Sequence, residues 1–124
     1  MRRRFRLTRS NDFKRVRRVG KSYAHPLVVL IVDPNPEGGL RIGVTAGRSV
    51  GNAVLRNRAK RRLRAAVDGL LQELAPGKNL ILLARPAIAS ASFSEIQTAL
   101  ARLMLRAGLL QTDEEFNDRA RASQ

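Results

Sequence analysis

Apolar residues recur along residues 52–74 at the spacing of a helix. Leu55, Ala59, Leu63, Ala66, Val67, Leu70 and Leu74 stand three or four positions apart, so they form one stripe that must lie against apolar material. The pattern predicts one long amphipathic helix that starts near Asn52 and ends before Pro76-Gly77, with Ser49 or Asn52 as its cap. Residues 27–32 are a continuous run of β-branched residues and Leu, the mark of a strand. The turn-forming DPNPEGG follows at 33–39. Residues 40–46 then alternate, with Leu40, Ile42 and Val44 on one face and Arg41, Gly43 and Thr45 on the other. This alternation predicts the antiparallel return strand of a hairpin. Gly43 would leave bare backbone on the second face, where a ligand can come close.

The remaining elements follow the same logic. Ser10 or Asn11 can cap a short helix with Phe13 and Val16 on one face and Gly20 at its end. Residues 21–25 suit a short extended piece. Residues 79–84 form another strand, ended by Arg85-Pro86. Ile96, Leu100, Leu103 and Ala107 mark a last helix over 94–108, capped by Ser92 or Ser94, with Glu95 in its first turn and Gly108 as its stop. The order α-β-β-β-α-β-α defines an α/β chain, a two-layer sandwich with a small mixed four-stranded sheet. Residues 1–124 read as a single domain. A basic arm at 1–9 is expected to stay loose until bound, and a polar tail at 112–124 to fray or form a short helix. A helix over one sheet face leaves the other to a second helix or to a cleft.

Charge sharpens this picture. Lys and Arg number 24 against 10 Asp and Glu, a formal net charge of +14. Such an excess repels itself and calls for a polyanion. Apolar runs are too short to span a membrane, and the N-terminus lacks the apolar stretch of a signal peptide, so a cytoplasmic protein is expected. Cysteine is absent and His25 is the sole histidine, which excludes disulfides and thiolate or paired-histidine metal sites within one chain. The acids are few and scattered, with no pair placed for acid–base or two-metal work, and no phosphate-loop motif occurs. The polypeptide is therefore expected to carry no catalytic residue and to hold no metal.

The positive charge is concentrated in one place. Arg48, Arg56, Arg58, Lys60, Arg61, Arg62 and Arg64 fall within residues 48–64, and no acid lies between Glu37 and Asp68. Arginine forks match phosphate oxygens in pairs. Asn52 and Asn57 either read RNA or merely cap and solvate the helix. Phe13 either stacks an unpaired base or is plain core.

Residues 51–64 resemble the signature of the bacterial ribonuclease P protein family, G-N-A-V, any residue, R-N, two residues, K-R. Here it reads Gly51-Asn52-Ala53-Val54, Leu55, Arg56-Asn57, Arg58-Ala59, Lys60-Arg61. Leu7, Ser10, Asp12, Phe13, Val16 and Gly20 resemble the family's first helix. Leu40, Arg41, Gly43 and Val44 resemble its strand before the signature, and Ala84-Arg85-Pro86 the end of its last strand. The resemblance implies an α/β sandwich with a left-handed βαβ crossover. It implies a non-catalytic protein subunit whose RNA partner carries out Mg²⁺-dependent removal of the 5′ leader from precursor tRNA, with Mg²⁺ held mainly by RNA. It implies that Arg48, Asn52, Arg56, Asn57, Arg58, Lys60, Arg61, Arg62 and Arg64 meet the catalytic RNA. It also implies that Phe13, Lys14, Arg17, Val28 and Ile31 line a cleft for the single-stranded leader. No membrane or obligate protein partner is expected. Arg17 stands where many members carry a second aromatic, and Gly47-Arg48-Ser49 replaces a more basic tripeptide, so leader binding here leans on charge. A ribosomal or other structural RNA-binding protein fits the composition equally well; a major-groove DNA binder fits less well, because the helix's apolar stripe is committed to a sheet.

Overall fold

The computed structural model describes residues 1–110, so the tail expected at 112–124 lies outside the described residues. Seven regular elements follow in order: α1 (Ser10–Val19), β1 (Lys21–Ala24), β2 (Val28–Pro34), β3 (Arg41–Ala46), α2 (Ala53–Asp68), β4 (Lys78–Ala84) and α3 (Phe93–Arg106). The strands form one sheet in the order β1-β2-β4-β3. β2 runs antiparallel to β1 and β4, while β3 and β4 are parallel and joined through α2. The expected α/β order and mixed four-stranded sheet are present.

One expectation about wiring is wrong. β3 does not return beside β2 as a hairpin; β4 lies between them, so that Leu82 pairs with Leu30 on one side and Val44 on the other. Burial explains the exchange. Leu80, Ile81 and Leu82 are all fully buried, although successive residues point to opposite faces. A strand apolar on both faces belongs in the sheet's centre, whereas the alternating β3 suits an edge.

Helices α2 and α3 lie side by side on one face. There Leu63, Ala66 and Val67 of α2 and Ile96, Leu100 and Leu103 of α3 pack on Leu30, Ile42, Leu80 and Leu82. Asn52 caps α2, its side chain accepting a hydrogen bond from the Leu55 N–H at 3.0 Å. The helix is shorter than the apolar spacing predicts. It ends at Asp68, and after Gly69 the chain tightens into a 3₁₀ turn at Leu71–Glu73, yet Leu74 still reaches the core. Glycine is a poor helix former, and this break lets Leu70 and Leu74 approach the core from a different angle. Helix α3 begins with a reciprocal capping box between Ser92 and Glu95. The Ser92 backbone N–H, and after it the Ser92 hydroxyl, donate to the Glu95 carboxylate and hold it below its ordinary pKa.

Helix α1 crosses the opposite face, where Val16 packs with Leu7, Ile31 and Ile81. Its cap is Arg9, which offers no side-chain acceptor, so neither Ser10 nor Asn11 serves as cap. The N-terminal arm is not loose. Residues Arg3–Phe5 form a 3₁₀ turn, and the Leu7 N–H donates to the Ile42 carbonyl at 3.0 Å. Arg6 bridges Ile42 in parallel, so the arm extends the open edge of β3. Phe5 and Leu7 anchor it, one against each core, and the Met1 ammonium lies 2.9 Å from Asp68.

Candidate nucleic-acid interface

The strand register divides the α1 face of the sheet into three rows. Helix α1 covers the middle row, Ile31, Ile81 and Gly43. The Phe13 ring packs against Gly43, where an added Cβ would sit 2.7 Å from Phe13 Cε2. The bare backbone expected to admit a ligand at Gly43 therefore admits Phe13 instead. On one side of α1 runs the row Ala24, Val29, Leu83 and Thr45, one residue from each strand, all at least partly exposed. This uncovered row is the floor of a groove. On the other side lie Asp33, Asn79 and Arg41.

The helix orients its charges by the same geometry. Arg15 bonds Asp12 at 3.0 Å and reaches Asp33 at 3.4 Å, so that flank of α1 faces the Asp33 row. At about 100° per residue, Arg17 stands on the opposite flank, bordering the groove, with Lys14 one step further toward solvent. Both are exposed, and Phe13 is half-buried. Ile31 is buried beneath α1. Val28 does not belong to this site. It is fully buried in the core on the α2/α3 face, because strand neighbours point to opposite sides. Val29 and Leu83 take the place that was assigned to Val28. The alternation with Ile31 could have pointed to Val29; Leu83 is disclosed only by the register Val29↔Leu83.

Helix α2 displays the basic residues on its outer surface. Gly51 turns the chain into it with φ +142°, a conformation reserved for glycine, and an added Cβ there would meet the Leu55 side chain. Asn57, Arg58 and Arg61 are exposed, as are Asn52 and Arg48, the latter in a 3₁₀ turn at Arg48–Val50. Arg56, Lys60 and Arg64, four residues apart, form one half-buried flank. The Nε atoms of Arg56 and Arg64 are buried without a hydrogen-bond partner among the described residues. Arg62 is different. Its guanidinium donates to the backbone carbonyls of Ile88 (3.3 Å) and Ala91, tying α2 to the segment before α3. Its assignment to the RNA surface is corrected on this ground: the fork is already occupied by the fold. Among the described residues no basic side chain of α2 is ion-paired; the salt bridges involve Met1 and Arg15.

The two surfaces adjoin. β3 runs out of the groove at Thr45 and Ala46 and leads through Arg48 to the capped start of α2. At roughly 1.5 Å per residue, α2 carries its cations over about 24 Å. His25 stays out of this surface, its Nδ1 accepting the Leu27 N–H at 3.1 Å within a turn. Among the described residues no three His, Cys, Asp or Glu side chains gather as a metal site, and no helix is long and apolar enough to cross a membrane.

A small α/β scaffold with an unneutralised cationic helix beside an apolar-floored groove is a nucleic-acid-binding protein of the phosphate-reading kind. Comparison with known proteins fixes the family. A family model described as Ribonuclease P matches residues 1–108. The ribonuclease P protein component of Chloroflexus aggregans is 43% identical over 115 residues, covering 92% of this chain and 85% of that protein. That of Bacillus cereus strain B4264 is 34% identical, covering 88% and 96%. The solved ribonuclease P protein of Staphylococcus aureus superposes with a TM-score of 0.78 at 28% identity, over 86% of this chain and 98% of that one. The chain belongs to the bacterial ribonuclease P protein family and is the protein subunit of a ribonucleoprotein enzyme.

Proposed function

We propose that α2 binds the catalytic RNA of ribonuclease P, and that the groove beside α1 holds the single-stranded 5′ leader of precursor tRNA. The observation that carries this reading is the junction at Thr45–Arg48, where the groove runs into the uncompensated basic helix. One bound protein can then touch two RNA strands at once. Arg48, Asn52, Arg56, Asn57, Arg58, Lys60, Arg61 and Arg64 are the contacts to the catalytic RNA. Phe13, Lys14 and Arg17 frame the leader groove, Val29, Leu83 and Thr45 form its floor, and Ile31 supports it from below.

The chemistry in this reading belongs to the RNA, where Mg²⁺ supplies the activated water and the charge stabilisation for phosphodiester hydrolysis. The described residues do not suit a resident Mg²⁺, since carboxylates are not clustered. The protein's part is electrostatic. Two polyanions repel when leader and catalytic RNA dock, and arginines between them screen that repulsion, so less Mg²⁺ is needed. Cleavage of a precursor tRNA over a Mg²⁺ titration tests this. With catalytic RNA present, the protein should move the midpoint to lower Mg²⁺, while protein without RNA cleaves nothing; an unmoved midpoint would reject the mechanism.

A further inference from the structure

Two exposed apolar side chains adjoin the cationic face of α2. Among the described residues four large apolar side chains stand exposed: Val19, Val54, Phe93 and Leu105. Val19 and Leu105 sit in the last turns of α1 and α3. Val54 is 71% exposed and is the second residue of α2. At about 100° per residue it projects between Asn57 and Arg58, in line with Arg61 two turns on. A β-branched residue is a weak helix former, so an exposed valine there does nothing for the helix. Phe93 is the first residue of α3 and is 40% exposed, beside a helix start that Ser92 and Glu95 already secure. Two contacts fix its place. Arg106 donates to the Ala24 carbonyl at 2.8 Å, so that flank of α3 faces β1. Phe93 lies about 140° round the helix from Arg106, on the flank toward α2. Arg62 of α2 in turn holds the carbonyls of Ile88 and Ala91, just before Phe93, and Arg58 stands one turn ahead of Arg62 on the same side. Phe93 therefore borders the basic face near Arg58.

We propose that Phe93 is a stacking platform for an unpaired base of the catalytic RNA, with Val54 packing against the same strand, so that the interface extends from α2 onto the start of α3. The proposal rests on the reading that α2 binds that RNA. Charge complementarity names the occupant: a ligand on Phe93 and Val54 also lies against Arg58 and Arg61, which are exposed and not ion-paired among the described residues. A polyanion satisfies the arginines, and only one with bases splayed from its backbone also satisfies an apolar ring. Arginine contacts to phosphate hold a strand in place but carry no sequence information directly. A ring beside them takes an unstacked base on its face and gains nothing from a base already paired within a helix. Phe93 and Val54 thus give the basic helix a preference for a single-stranded or bulged segment over a plain duplex. Neither residue touches the leader groove, which lies on the other face of the sheet.

The test measures binding of the full chain to the catalytic RNA and to a fully paired RNA duplex, each over a salt series. Phe93→Leu keeps an apolar side chain at the start of α3 but removes the ring, and Val54→Thr keeps the shape but adds a hydroxyl. Phe93→Leu should weaken binding to the catalytic RNA about tenfold and Val54→Thr about threefold, both without changing the salt slope, because no charge is lost. Phe93→Tyr, which keeps a ring, should bind like wild type, and all three variants should bind the duplex like wild type. Arg61→Ala is the control, expected to weaken binding to both RNAs and flatten both slopes. Wild-type affinity in Phe93→Leu and Val54→Thr, with Arg61→Ala still impaired, overturns the stacking site and leaves RNA binding by α2 standing. Equal losses on catalytic RNA and duplex assign the two side chains to the fold and overturn it as well. Wild-type affinity and slope in Arg61→Ala would reject the α2 reading and this site with it.

Discussion

Arginines on one helix should fail in different ways. Arg58 and Arg61 are exposed and unpaired among the described residues, whereas Arg62, between them and the core, holds two backbone carbonyls. Replacing Arg58 and Arg61 by alanine together removes two exposed cations that make no hydrogen bond or ion pair among the described residues, so folding stability should change by less than about 0.5 kcal/mol. Binding to the catalytic RNA should change a great deal. Each neutralised phosphate contributes about 0.7 to 0.9 to the slope of log K against log salt, so the double variant should flatten that slope by roughly 1.4 to 1.8. At about 1 kcal/mol per charge-assisted contact it should bind roughly 30-fold more weakly at moderate salt. Arg62→Ala should do the reverse. It removes two charge-assisted hydrogen bonds between α2 and the segment at 88–91, for a loss of about 1–3 kcal/mol. For a domain of this size that corresponds to a fall in Tm of roughly 3–6 °C per kcal/mol. Its salt slope should match wild type within about 0.3. Filter binding over a salt series, with thermal unfolding alongside, measures both. A wild-type slope in the double variant, or equal flattening in Arg62→Ala, would refute the division of the helix into a face for RNA and a face for the fold.

Other outcomes follow from single contacts. Gly43→Val places methyl groups into the Phe13 ring, which should cost about 1–3 kcal/mol in denaturant unfolding, largely restored by adding Phe13→Ala; no loss would mean the ring does not lie on the sheet. Val29→Asp should weaken binding of leader-bearing precursor tRNA to the holoenzyme but leave leaderless tRNA unchanged, while Val28→Ala should cost roughly 1–3 kcal/mol of stability with no change in that discrimination. Glu95 is held below its ordinary pKa by the Ser92 cap, so its ionised form favours the fold. That contribution is present above the ordinary carboxyl value of 4.5 and fades as pH falls through the lowered folded value, so Glu95→Gln should slightly lower stability near pH 7 and flatten the acid side of the profile, the difference from wild type vanishing at low pH; a constant difference across that range would refute it.

Much of this was readable from residue spacing. The start of α2 at Asn52, the capping box of α3 and the apolar stripes follow from local rules, because cap chemistry and helical period act within a few residues. Pairing across the sheet is not local. The DPNPEGG turn permits a hairpin, and nothing within residues 27–46 reveals that β4, some forty residues on, separates the two strands. The signal lay in β4 itself, whose Leu80-Ile81-Leu82 is apolar on both faces and therefore demands a neighbour on each side. The arm at 1–9 misled because its arginines suggest disorder, while Phe5 and Leu7 between them anchor it. Choosing Val28 over Val29 was an error of strand parity, which one residue of register decides. Arg62 is indistinguishable from its neighbours by type, and only the carbonyls of Ile88 and Ala91 set it apart.

On the proposed reading the outer surface of α2 meets the catalytic RNA while the groove beside α1 holds the leader. The chain has no cysteine, so single-cysteine variants can carry a hydroxyl-radical probe without background labelling. A probe at Asn57→Cys should cut the catalytic RNA and spare the leader, and a probe at Ala24→Cys, at the groove's exposed end, should cut the leader of a bound precursor tRNA. Cleavage of the catalytic RNA from Ala24→Cys alone, with none from Asn57→Cys, would contradict it.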